Sequence, residues 1–393
     1  MEEIADKIIR WMHRILAVIG AAVILLTIFF YFTNAANMET LITSLALIKS
    51  YSLYQKDVSS GDFIMGATEG IVAALDDPYS YYMSPEEWTA QQETLNAEFY
   101  GIGVYMSLLK DGSVVLMAPI PNTPAEKAGL QSGDILLSVD GKSLENMSLD
   151  EVSALVRGEE GTEVRLSVQR EEDGEYRFLE FTVKRAKVEV PSTFGAIIDE
   201  EAGIGYIELT TFHSKSPEEI SEQIEKLEKQ GAVGLVLDLR DNGGGDYNAA
   251  LKIADYFLDD KDLVQIADAN EVLYTEHSNP GSNEIPLVLL VNENTASSSE
   301  VLASSLRDNQ RAKIVGTTTF GKGIIQVLFP LDDGGALKLT TNQYLNLQGK
   351  KIHQIGLVPD QEIEAEENEN GEEEDVQLDA AVKLLKKQLA SAR

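Results

Sequence analysis

Between residues 187 and 361 strand-like and helix-like stretches alternate, and this alternation limits the fold more than any other feature. The runs Gly234-Leu235-Val236-Leu237-Asp238-Leu239 and Leu287-Val288-Leu289-Leu290-Val291 are apolar nearly throughout. A strand apolar on both faces must be covered on both faces, which is the habit of a largely parallel sheet flanked by helices. Gly205–Leu209, Lys313–Val315, Ile324–Leu328 and Leu337–Thr340 are further strand candidates, with helices expected over Pro217–Gln230, Asn248–Leu258 and Ser299–Asp308. Ligands of such sheets sit at the C-terminal strand ends, in the strand-to-helix loops.

The preceding region has another texture. Val114–Leu116, Ile135–Val139, Val164–Val168 and Phe178–Val183 read as short strands, with hairpin-type turns at Asp111-Gly112 and Asp140-Gly141. Short helices fit Pro124–Ala128 and Leu149–Val156. Upstream, residues 38–75 read as helix from the spacing of Leu41, Leu45, Ile48, Phe63, Ile64, Ala67 and Ile71. The turn Asp77-Pro78-Tyr79-Ser80 breaks that pattern. The run 15–32, interrupted only by Gly20 and Thr27, comes close to the roughly 20 apolar residues that cross a bilayer. Lys7, Arg10 and Arg14 precede it, so the expectation is an uncleaved single-pass anchor with everything beyond it outside the cytoplasm. A cleaved signal peptide is the competing reading, for which Asn34-Ala35-Ala36-Asn37 is a poor cleavage site. The expected division is 1–36 cytoplasmic stub and anchor, 37–94 helical, 95–186 a β-rich binding module, 187–361 an α/β core, and 362–393 an acidic linker with a closing helix over 376–389.

Composition removes several classes of chemistry. The chain has no cysteine, which excludes disulfides, thiolate metal sites and a cysteine nucleophile. Only His13, His213, His277 and His353 supply imidazoles, and neither a metal nor a cofactor is expected. The net charge, 32 − 65 = −33, argues against nucleic acid as partner.

One loop suits nucleophilic chemistry. Asn292-Glu293-Asn294-Thr295-Ala296-Ser297-Ser298-Ser299-Glu300 follows a buried strand and opens a helix, where N–H groups and the positive helix end can stabilise an oxyanion. Helix capping alone would also account for these serines. A hydroxyl nucleophile needs a base. His213, His277 and His353 lie in no recognisable motif. Lys322, in Thr319-Phe320-Gly321-Lys322-Gly323-Ile324-Ile325-Gln326, has no acid within ten residues before it or five after it. Burial there would disfavour its charged form. If the stretch is extended, Lys322, Ile324 and Gln326 share a face, and Gln326 can hold the amine towards the serine.

Two resemblances follow. The segment Pro124-Ala125-Glu126-Lys127-Ala128-Gly129-Leu130, followed by Gly133-Asp134-Ile135 and Asp140-Gly141, closely resembles a bacterial PDZ domain covering roughly 95–186. That likeness implies capture of a C-terminal or extended peptide by Tyr100, Gly101, Ile102 and Gly103 along the edge of a β-sandwich or barrel with two helices. Arg157 either caps a helix or reports peptide binding to the catalytic region. Residues 187–361 resemble the C-terminal processing peptidases, tail-specific serine proteases with a Ser–Lys dyad. The matching motifs are Thr295–Glu300, Thr319–Gln326, Asp238–Gly245 and Gly356–Asp360, with the Asp77–Ser80 turn upstream. The resemblance implies Ser297 as nucleophile, Lys322 as general base, Gln326 as orienting residue, and the N–H groups of Gly244 and Ser298 as oxyanion hole. It also implies a homodimer or larger homo-oligomer. The chain departs from the family pattern in Gly243 for proline, Ser298 for alanine, and Asn346-Leu347-Gln348-Gly349 for the TPSG turn.

The reading as a whole is a membrane-anchored, multidomain α+β serine endopeptidase. It would act outside the cytoplasm on protein or peptide substrates captured by their C-terminal ends. The alternative is a PDZ adaptor with a silent protease-like fold. A trypsin-like PDZ protease fails on topology, since parallel α/β order does not build a double β-barrel and no His, Asp and Ser set is visible.

Overall fold

The computed structural model describes residues 39–54, 58–96, 98–109, 111–172, 174–365 and 375–391. The expected anchor 15–32 lies outside the described residues, among which no helix is long and apolar enough to cross a membrane.

The chain divides into two compact units, 1–74 and 75–393. The first is helical, but not in one piece: helix 39–51 stops before Ser60–Ala73 begins. Ser59 explains the restart. Its hydroxyl accepts the Asp62 N–H while the Asp62 carboxylate accepts the Ser59 N–H, a reciprocal cap.

In the second unit a six-stranded sheet runs in the order Thr193–Asp199, Ile204–Leu209, Gly234–Asp238, Leu287–Val291, Ala312–Gly316, Gln361–Glu362. Only the first pair is antiparallel. The all-apolar runs are explained by period-two alternation. Leu235, Leu237, Leu287, Leu289 and Val291 face the helices Ser216–Lys229, Tyr247–Phe257 and Ser298–Asp308. Val236, Val288 and Leu290 face Ala381 and Leu385 of the closing helix Val376–Ser391. The acidic tail is therefore not wholly solvated, as its charge suggests. Gln361–Glu362 pairs with the sheet, and Asp375 accepts from Arg240 at 2.7 and 2.8 Å.

A second correction concerns Ile324–Pro330 and Ala336–Leu345. They do not extend the parallel sheet. They pair with each other and, with Tyr81–Met83, Asp262–Ala267 and Val272–His277, build a separate antiparallel sheet. Their apolar alternation carries no information on strand direction, because that depends on distant partners.

The middle region is a sheet in the order Val104–Leu108, Val114–Pro119, Ile135–Val139, Glu163–Glu172, Glu175–Lys184, with Lys142–Ser143 on Ile135–Val139. Helices Pro124–Ala128 and Leu149–Val156 cover it, and Ile102, Leu116, Leu136, Val152 and Leu166 form its core. It joins the core through an antiparallel pair, Glu98–Gly101 with Ala186–Glu189.

Candidate active site

Two loops leave the C-terminal ends of adjacent parallel strands, Gly234–Asp238 and Leu287–Val291, and meet above the sheet. Ser297 ends the second loop at φ +57°, ψ −118°, left-handed territory that a non-glycine residue occupies only when its surroundings hold it there. Glu300 does much of the holding. Its buried carboxylate accepts from the N–H of Ser297 (2.9 Å), Gly321 (2.9 Å) and Lys322 (2.8 Å), and from the Thr319 hydroxyl (2.6 Å). Burial pushes this carboxyl above its ordinary pKa, although the donors around it pull the other way. Tyr344, fully buried, places its hydroxyl between the carbonyls of Ser297 (3.0 Å) and Lys322. Serine and lysine segments are thus tied together twice through their backbones.

Ser297, Lys322, Gln326 and Lys338 line one cavity of about 480 Å³. Among the described residues no hydrogen bond joins the Ser297 hydroxyl to the Lys322 amine. That amine lies 5.3 Å from the centroid of the Tyr79 ring. Burial, reinforced by the charge of Lys338, holds Lys322 below the ordinary lysine pKa. Gln326 does not reach the lysine as its alternation suggests. Lys322 precedes the strand, a bulge falls between Ile325 and Gln326, and the Gln326 amide donates instead to the Tyr79 carbonyl. The Asp77–Ser80 turn therefore supplies the lysine's aromatic wall and the glutamine's acceptor.

The first loop is built around Asn242, fully buried. Its amide donates to Leu209 O (2.6 Å), its side-chain oxygen accepts the Gly244 N–H (2.9 Å), and its carbonyl accepts Ala296 N–H (3.0 Å). Gly244 lies so close to the serine loop that a Cβ would fall 2.9 Å from both Ala296 O and Ser297 Cβ. The two N–H groups expected to face an oxyanion are placed differently. That of Gly244 is engaged by Asn242, while that of Ser298 lies in the first helical turn, where no intrahelical carbonyl is available. The extra hydroxyl of Ser298 donates to Gly245 O at 3.0 Å and so staples the glycine loop.

In the middle domain Ile102 and Gly103 line a 140 Å³ groove between strand Val104–Leu108 and helix Leu149–Val156. Tyr100 and Gly101 do not line it. They belong to the connecting strand pair, where Tyr100 O accepts Gly158 N–H. Arg157 lines the groove's end, stacks on Phe99 at 4.9 Å, and bonds Glu93 at 3.2 Å. Glu93 belongs to helix Pro85–Asn96, whose Gln91 and Leu95 line the serine–lysine cavity. None of the three histidines lines that cavity. His213 is buried beside Glu219, His277 is exposed against Asp260 and Asp262, and His353 faces the Tyr79 ring edge-on. Sequence reasoning gave no role to Glu300, Tyr344, Tyr79 or Lys338. Glu300 was findable, being an acid at a position the helix buries; the other three reach the site by tertiary contact alone.

Known proteins resemble this chain along most of its length. A model described as peptidase family S41 matches residues 203–363, one described as a PDZ domain matches 115–170, and one described as the activating protease CtpB N-terminal domain matches 32–87. The chain is 36% identical over 331 residues to the carboxy-terminal processing protease CtpA of Bacillus subtilis, covering 83% of this chain and 69% of that one. It is 36% identical over 326 residues to the carboxyl-terminal-processing protease of Synechocystis, covering 81% and 76%. A solved S41 protease structure from Bacteroides fragilis shares the fold at TM-score 0.52 and 18% identity, over 88% of this chain and 97% of that one. The chain belongs to peptidase family S41 and is a serine peptidase of the carboxyl-terminal processing class, with a PDZ domain.

Proposed function

We propose that Ser297 is the nucleophile and Lys322 the general base of this peptidase. The observation that carries the assignment is the buried Glu300 carboxylate, which grips both segments and turns both side chains into one cavity. The neutral Lys322 amine takes the Ser297 proton as Oγ attacks the scissile carbonyl. The ammonium then protonates the leaving amine, and water releases the acyl-enzyme. Ser298 N–H is free to meet the oxyanion, and Gly244 N–H joins it by exchanging Asn242 for the substrate oxygen. Gln326 acts by fixing Tyr79, which walls the lysine. Substrate reaches this cleft as an extended chain along strand Ile324–Pro330, five of whose residues line it in succession.

The PDZ groove captures the substrate's C-terminal end, supported by the edge position of Val104–Leu108 in its sheet. Residues 15–32 anchor the chain, with the catalytic part outside the cytoplasm as a homo-oligomer. Ser297→Ala and Lys322→Ala should each abolish casein cleavage at unchanged melting temperature. Full activity in either overturns the assignment, as does intact casein with the wild-type protein, which is the adaptor outcome. Protease protection of right-side-out membranes tests the topology.

A further inference from the structure

We propose that Lys338 forms a carboxylate-binding subsite of the cleft, which selects substrates with a negative charge near the scissile bond. The inference rests on reading the cleft as the site of peptide hydrolysis. Lys338 lies on strand Ala336–Leu345, paired with Tyr81 on one side and Leu328 on the other, and lines the same cavity as Ser297 and Lys322. Among the described residues no Asp or Glu forms an ion pair with it. Its polar neighbour is the Tyr81 hydroxyl at 3.5 Å, with the amine 5.3 Å from that ring's centroid.

Acids outnumber bases 65 to 32, and Arg240, Lys187, Lys215, Lys313 and Lys386 all have carboxylate partners. Lys338 is half-buried, and burial alone moves its pKa down, with no acid nearby to restore it. A partly desolvated ammonium without a counter-charge gains most from a ligand that brings one. Leu95, Val301, Ile324, Val327 and Leu328 give the cleft apolar walls; Asp246 also lines it, its carboxylate accepting from Asn248 N–H at 2.8 Å, and among the described residues Lys322 and Lys338 are the cations that line it. Lys322 must be neutral to act as base, so the charge available for recognition is that of Lys338. The ligand is a carboxylate, from an Asp or Glu side chain or from the substrate's own C-terminus.

The test uses peptide pairs differing only in charge. Asp is exchanged for Asn at each position flanking the bond, and a free C-terminus for its amide. Affinity is measured calorimetrically in the Ser297→Ala background, where nothing is cleaved, and kcat/KM in the wild type. At one position, or at the terminus, the carboxylate form should bind about tenfold tighter. Adding Lys338→Met should bring that ratio to within about twofold of unity, and Lys338→Arg should retain it. Which pair responds identifies the source of the carboxylate. The subsite is overturned if no pair shows a preference, or if the preference survives in Lys338→Met. Wild-type protein that cleaves none of the peptides would instead refute the peptidase assignment of this cleft.

Discussion

Glu300 holds a position that neither catalytic side chain could replace. Ser297 N–H and Lys322 N–H share one carboxylate oxygen, Oε2, and an amide NH2 in its place leaves one N–H of each segment without its acceptor. Glu300→Gln should lower stability by about 2–3 kcal/mol, read from urea unfolding. It should cut kcat by about 100-fold or more, because Ser297 relaxes from its left-handed backbone. With Lys322 as the proposed base acting in its neutral form, activity should rise as pH rises through its pKa, and that rise should begin below the ordinary lysine range. Lys338 contributes the like charge that disfavours protonated Lys322. Lys338→Met should therefore move the rising limb of kcat/KM to higher pH, while Lys338→Arg leaves it in place.

At the scale of elements, the loop around Asn242 and the closing helix each carry a prediction. Gly244 has no room for a side chain against Ala296 O and Ser297 Cβ, and its φ of +101° adds strain for any other residue. Gly244→Ala should abolish proteolysis while PDZ ligand binding, read by fluorescence anisotropy, is unchanged. The helix Val376–Ser391 is structural: Leu385 is fully buried against the sheet, within 3.2 Å of where a Cβ on Gly234 would stand. Leu385→Ala should cost about 2–5 kcal/mol in denaturant unfolding, since the sheet face cannot close the cavity. The range of the closing helix is nearly legible from apolar spacing. The cover it provides is not, because a helix pattern names a buried face without naming what buries it.

At the scale of the molecule, contacts of Arg157 with Phe99 and Glu93 link the PDZ groove to the helix that carries Gln91 and Leu95 of the serine–lysine cavity. The ion pair is largely exposed and stabilises little by itself. The effect expected of it is on coupling between the two sites. Arg157→Ala should reduce the stimulation of cleavage by a PDZ-binding peptide several-fold and leave unstimulated cleavage intact; equal stimulation in variant and wild type removes the link. Light scattering of the purified chain tests the expected homo-oligomer, and a monomer at micromolar concentration would remove it.

The α/β core and the PDZ-like module were legible in the chain itself, and Ser297 and Lys322 stood out there as candidates, their proposed roles coming from the family resemblance. Each rests on local information: apolar period, turn residues at fixed offsets, and a lysine isolated from acids along the backbone. Tertiary structure alone decided that Ile324–Pro330 and Ala336–Leu345 leave the parallel sheet, that Gln326 serves Tyr79 rather than the lysine, and that Glu300 binds both loops. Those outcomes depend on which distant segments compete for the same hydrogen bonds, and spacing along one chain does not encode the winner of that competition.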